Sequence, residues 1–239
     1  MDIDINLLNQ KLKKILQKIP LKKLSIYLLA ILFVLFLVIT GIIVFYSPAE
    51  FEAEFTRELQ EDRSPMLDAY MKFVSWFGEN QVAIPMIVGV FILFSLFGYI
   101  KEGIFMLLTS LASVLNFGLK LLINRQRPTD DLVEILTETS NQSFPSGHTV
   151  HYVVFFGMFL VLFFRIRQIK VIIRVLISLL CLTLIISVPF SRVYLGAHWT
   201  SDVTAGIIIG LLVLALLLFF YFKKSSFLDR LNRKGFLLK

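Results

Sequence analysis

Three short polar islands interrupt an otherwise apolar chain. The first is Lys120, followed seven residues later by Arg127-Pro128. The second is Pro145-Ser146-Gly147-His148. The third is Ser191-Arg192, followed by His198 and, four residues on, Asp202. Together they supply three fixed cations, two histidines and one carboxylate. That inventory suits holding a phosphate and breaking one of its ester or anhydride bonds. Arginine offers a planar fork of donors to phosphate oxygens, and lysine a mobile point charge. A histidine can give a proton to a leaving oxygen. A second histidine with a carboxylate behind it can attack phosphorus and form a covalent phosphohistidine.

Each island alone also has a plain structural reading. Lys120 and Arg127 could snorkel at a span end, and Arg125 is read that way, touching at most a headgroup. Pro145-Ser146-Gly147 could simply open a helix, with Pro145 in its first turn and Gly147 allowing close backbone approach. The unpaired N–H groups there would attract an anion. His198 and Asp202, at i and i+4, could share a helical face in a structural bond, with Asp202 favouring a charged imidazole. His151, one turn after His148, is read as structural or lipid-contacting. The lone Cys181 lies inside an apolar run and is read as packing.

The elements that must carry these islands are membrane spans. The chain has 239 residues, 57% of them apolar, and several runs approach or exceed the roughly 18 residues a spanning helix needs. The expected fold is all-α and polytopic, with six transmembrane helices at about Ser25–Tyr46, Ala83–Tyr99, Gly103–Ile123, Thr149–Phe164, Val171–Val188 and Val203–Phe222. Residues 25–222 form the membrane domain, between a basic amphipathic segment (1–24) and a basic tail (223–239). In the first, Leu8, Leu12, Ile15, Leu16 and Ile19 share a face that would lie on the inner leaflet. A cleaved signal peptide does not fit the long lysine-rich stretch before the first span. Between the first two spans, Phe51, Phe55 and Leu59, then Met66, Leu67, Tyr70, Met71, Val74 and Phe77, make amphipathic stripes. Helices lying across the outer face and packed on the bundle are expected there.

The net charge of +7 is concentrated in alternate loops, which argues for topology and against nucleic-acid binding. Lysines and arginines precede span one, join spans two and three and spans four and five, and follow span six. The positive-inside rule then places both termini in the cytoplasm. All three islands fall on the extracytoplasmic side, so their cations stand against the topological bias, and a bound anion explains them.

No cluster of metal ligands is apparent, and three cations beside the histidines would oppose a metal. Phosphoryl transfer without metal or cofactor is expected, the cations stabilising charge. On these residues the chain resembles the type 2 phosphatidic acid phosphatase family, whose phosphate pocket is shared with vanadium haloperoxidases. The resemblance runs as motif from Lys120 to Asp202, and the six-span layout fits the family's bacterial membrane phosphatases. It implies that His198 is the nucleophile and Asp202 its orienting partner. His148 would be the acid and then the base, and Lys120, Arg127, Ser146, Gly147 and Arg192 would bind the phosphate. Thr200 stands where many relatives carry proline. The implied substrate is a membrane lipid phosphate or diphosphate, such as undecaprenyl diphosphate, phosphatidylglycerol phosphate or phosphatidate. A lipid phosphotransferase using a polyprenyl diphosphate donor is the enzymatic alternative. A transporter or scaffold that only binds anionic lipid is the non-enzymatic one, but it would not need the His198–Asp202 spacing.

Overall fold

The computed structural model describes residues 21–46 and 49–223. The expected amphipathic segment Ile5–Ile19 and nearly all of the basic tail lie outside the described residues. Among the described residues the fold is all helical: α1 (Leu21–Tyr46), α2 (Ala49–Gln60), α3 (Pro65–Trp76), α4 (Asn80–Leu96), α5 (Ile100–Leu108), α6 (Ser110–Ile123), α7 (Gly147–Arg165), α8 (Val171–Tyr194) and α9 (Thr200–Phe222). Five spans are long and apolar enough to cross a membrane, with α5 and α6 counting as one. A sixth follows if α3 and α4, bent by 50° at their junction, count as one span. The protein is an integral membrane protein.

Local chemistry explains where the helices differ from the apolar runs. The third span breaks at Thr109. Its hydroxyl donates to Met106 O at 2.6 Å and that of Ser110 to Leu107 O at 2.7 Å, and such back-bonding disturbs the helical ladder. The fifth span outruns its apolar stretch, continuing through Pro189 to Tyr194 and carrying Arg192 into its last turn. The second island opens α7, which starts at Gly147, two residues before the expected Thr149 but after Pro145, the residue expected in its first turn. Ser146 is the N-cap, accepting from Thr149 N, and Gly147 is the first helical residue. Pro145 therefore precedes the helix.

The core is built on α7, whose Val150, Tyr152, Val154, Phe155, Met158 and Leu162 are all buried. It packs most extensively on α8 and α9. The α7–α9 approach depends on Gly210, where a Cβ would meet Val153 Cβ at 2.7 Å. By contrast α1 leaves most of its apolar surface outward, as a helix solvated by lipid does.

One expected face is reversed. In α2 the apolar residues Phe51 and Phe55 are exposed, while Glu52, Ala53, Thr56 and Gln60 are buried. The inward face is the polar one. Gln60 donates to Glu134 O (2.9 Å) and Tyr194 O (2.8 Å), which ties α2 to residues 129–143 and to the end of α8. The stripe on α3 is divided: Val74 is buried, whereas Met66 and Tyr70 are exposed.

Candidate active site

The three islands converge at one end of the bundle, where α6 and α8 end, α7 and α9 begin, and the α3–α4 junction closes the side. There they line a cavity of about 480 Å³.

His198 sits in the turn between α8 and α9. Gly196 makes this turn possible, with φ +66° and a Glu134 carbonyl 2.3 Å from where a Cβ would stand. Trp199 is the N-cap of α9, and Asp202 Oδ2 accepts from its backbone N–H at 2.9 Å. His198 is thus outside the helix. The i, i+4 spacing works through a helix cap and not through a shared helical face. Asp202 Oδ2 lies 3.4 Å from His198 Nδ1 and accepts from the Ser143 hydroxyl at 2.5 Å. On the opposite edge of the ring, Arg127 Nη1 is 3.3 Å from Nε2. A guanidinium only donates, so Nε2 carries a lone pair and the ring proton sits on Nδ1, toward the carboxylate.

The pull of Asp202 toward a charged imidazole is outweighed in this environment. Burial, and after it Arg127, Arg192, Lys120 and His148, hold the pKa of His198 well below the ordinary 6.5. The ring is neutral, with its free lone pair turned to the cations: the form a nucleophile needs.

The three cations around that lone pair have neutral partners. Lys120 Nζ donates to the carbonyls of Gln142 and Ser143. Arg127 donates to the carbonyls of Asn141 (2.8 Å), Ala197 (2.6 Å) and Ser140 (3.1 Å). Arg192, fully buried, donates to the Ser75 hydroxyl at 2.5 Å. Its Nε, also buried, has no partner among the described residues. Lys120 and Arg127 reach the site by different routes, because Asn124 ends α6 with a left-handed φ of 50°. The loop of residues 129–143 cradles both cations with the carbonyls of Ser140, Asn141, Gln142 and Ser143.

His148, in the first turn of α7, faces the same cavity. Its Nε2 lies 3.2 Å from Glu79 Oε1, in the α3–α4 junction. Glu79 belongs to no motif and was not flagged from sequence. Gly147 lines the cavity beside Asn116, whose Oδ1 is buried and unpartnered. Ser146 does not line it. Its hydroxyl caps α7 and accepts from Thr149 Oγ1 at 3.0 Å, so here it positions the Gly147 N–H. His151 lines the cavity deeper in and stacks on Phe155. Ala83, Ile84 and Ile87 of α4 and Phe117 of α6 form the apolar wall. Among the described residues no three His, Cys, Asp or Glu side chains converge as metal ligands.

Arg125 departs most from expectation. It is buried, not snorkelling. Its Nη1 contacts Asp202 Oδ1 (2.6 Å) and Ser201 Oγ (2.7 Å), its Nη2 pairs with Glu52, and its guanidinium lies over the Trp199 ring. Glu52 in turn accepts from Ser201 N at 2.7 Å.

A buried histidine backed by a carboxylate, facing cations and a second histidine, has the groups that phosphoryl transfer uses. A model of the PAP2 superfamily matches residues 101–226. Phosphatidylglycerophosphatase B of Bacillus subtilis (strain 168) is 31% identical over 156 residues, covering 63% of this chain and 73% of the relative. The crystal structure of the first transmembrane PAP2-type phosphatidylglycerolphosphate phosphatase from Bacillus subtilis is similar at TM-score 0.73 and 26% identity, over 83% of this chain and 98% of that one. LpxE of Aquifex aeolicus shares the fold at TM-score 0.50 and 24% identity, over 69% and 93% of the two chains. The chain belongs to the PAP2 superfamily and is a membrane lipid phosphatase of the bacterial type. Glu52 and Glu79 both lie outside the span that the family model matches.

Proposed function

We propose that the protein hydrolyses a lipid phosphate at the extracytoplasmic membrane face through a phosphohistidine on His198. The observation that carries this reading is a cavity lined by His198 and by Lys120, Arg127 and Arg192, three cations whose hydrogen-bond partners are neutral, with Arg127 Nη1 3.3 Å from His198 Nε2. Neutral acceptors leave those charges uncompensated, and a phosphate supplies the counter-charge. Lys120, Arg127, Arg192 and the Gly147 N–H hold its oxygens, with Ser146 fixing that N–H. Nε2 of His198 attacks phosphorus as the ester oxygen leaves with a proton from His148. The imidazole becomes cationic, and Asp202 stabilises it. Water then attacks the P–N bond, giving its proton to His148, and the Nε2 lone pair returns. Every charge that develops meets a fixed group, so the chemistry needs no metal.

The names of two relatives favour phosphatidylglycerol phosphate as substrate, with undecaprenyl diphosphate and phosphatidate as the other headgroups to compare. The apolar wall of α4 and α6 is where the lipid part meets the cavity. The extracytoplasmic assignment rests on the basic residues Lys101, Arg165, Arg167, Lys170 and Arg174, which flank the opposite ends of the spans. Phosphate release from these three lipids, measured with EDTA, tests the reading. Release by wild type and a loss of roughly 10³-fold or more in His198→Ala are expected. If His198→Ala keeps wild-type turnover, the mechanism is wrong. A lipid phosphate product in place of inorganic phosphate would mark a transferase.

A further inference from the structure

We infer that Glu52 and Arg125 are positioning residues for the nucleophile: Arg125 anchors Asp202, and Glu52 offsets the charge of Arg125 so that Asp202 still presents a net negative charge to His198. This rests on the reading of His198 as the nucleophile.

The geometry is a buried chain of alternating charge. His198 Nδ1 faces Asp202 Oδ2, Asp202 Oδ1 faces Arg125 Nη1, and Arg125 Nη2 faces Glu52 Oε2. Glu52 is 4% exposed, Arg125 8% and Asp202 0%, so solvent screens these charges little. Summing them shows what each member does. Asp202 and Arg125 alone would be neutral, leaving the nascent imidazolium of phosphohistidine without a counter-charge. Adding Glu52 restores one net negative charge. Geometry is fixed at the same time. Arg125 holds one carboxylate oxygen of Asp202 while Ser143 and the Trp199 N–H hold the other. Glu52 also accepts from Ser201 N in the first turn of α9, where a carboxylate suits the exposed N–H groups. It thereby sets the start of the helix that carries Asp202. This explains why the polar face of α2 is the one turned inward.

A purely structural tether would change stability alone. The electrostatic role predicts opposite effects on the titration of His198. In front of His198 stand Arg127, Arg192, Lys120 and His148, with Glu79 beyond His148. Behind it stand Asp202, then Arg125, then Glu52. Only the last two are altered in the test. Without Glu52 the cation of His198 is less favoured, and its pKa falls further. Without Arg125 it is more favoured, and its pKa rises.

The experiment uses the full chain, purified in detergent, with phosphatidylglycerol phosphate or whichever panel lipid is turned over. Glu52→Gln is expected to lower kcat roughly 10–100-fold, the size typical of an outer partner that orients a reacting group. KM should stay within about 2-fold, because the substrate contacts are untouched. The acid limb of kcat/KM should move to lower pH in Glu52→Gln and to higher pH in Arg125→Gln. The charge-balanced double variant Glu52→Gln/Arg125→Gln should recover turnover relative to Glu52→Gln, with its acid limb near wild type. Two results overturn the inference: an unchanged kcat and pH profile in Glu52→Gln, or a double variant no faster than Glu52→Gln. If a single variant does not fold, the double variant decides against Asp202→Asn. Activity well above that of Asp202→Asn supports the inference, and equal activity overturns it. Loss of activity in His198→Ala alongside wild-type behaviour of Glu52→Gln would sink this inference and leave the nucleophile in place. Retained activity in His198→Ala would sink both.

Discussion

Arg125 and Arg127 stand two residues apart and look interchangeable in sequence, yet they work on opposite sides of one histidine. Arg127 is held by three carbonyls and the His198 ring, so its charge remains uncompensated toward the cavity. Arg125 is held by two carboxylates, so its charge is consumed inside the protein. The difference shows that what a cation is bonded to decides whether it can bind an anion. Neutral acceptors orient a guanidinium without neutralising it, whereas carboxylates convert it into scaffold.

The contrast can be broken experimentally, beginning with stability. Replacing Arg125 by Leu leaves Glu52 and Asp202 buried without their cation and should cost about 3–5 kcal/mol, read as a large drop in Tm in detergent. The same change at Arg127 should leave Tm close to wild type. A comparable drop in both would erase the distinction. Turnover gives the reverse ranking. Arg127→Gln should reduce kcat/KM by roughly 10²–10³-fold, as expected for one donor to a developing charge. A mild effect would mean that Lys120 and Arg192 suffice.

The pH profile sharpens the same comparison. In the proposed mechanism His198 must be neutral to attack, and its pKa is held below 6.5 by burial and by Arg127, Arg192 and Lys120. As pH falls, activity should persist through 6.5 and fail only below it. Arg127→Gln removes one opposing cation, raises the pKa of His198 and should shift the acid limb to higher pH. A limb that stayed put would mean that Arg127 does not act on the nucleophile. The smallest effect is expected on the outward face of α2, where Phe51→Ala should move stability by no more than about 0.5 kcal/mol, whereas Thr56→Lys on the buried face should lower Tm sharply.

Much of this was legible in sequence for a physical reason: spans announce themselves by length and apolarity, and the three islands carry unusual groups at span ends. The same reading misassigned α2 because amphipathic periodicity tells which face differs, not which face turns inward. Beside a membrane the apolar face can meet lipid and the polar one can turn inward, as Glu52, Thr56 and Gln60 do. Partnerships between distant residues were also hidden. Nothing local to Arg125 announces Glu52 73 positions earlier, and Glu79 lies 69 positions before His148. Spacing reported that His198 and Asp202 meet, but not that a helix cap joins them. It could not weigh one carboxylate against burial and several cations, which together hold the His198 pKa low.

The bond between Glu52 and Ser201 spans 149 positions, and this bears on how the chain is made. A ribosome delivers Glu52 first, Arg125 later and Asp202 near the end, so the early carboxylate waits through most of synthesis for its partners. Until α9 is made, Arg125 lacks Asp202 and Ser201, and Glu52 lacks the Ser201 N–H. The last span to emerge therefore completes the charge balance of the site. A chain interrupted before residue 201 keeps most of its spans but lacks both Asp202 and the Ser201 N–H that Glu52 binds.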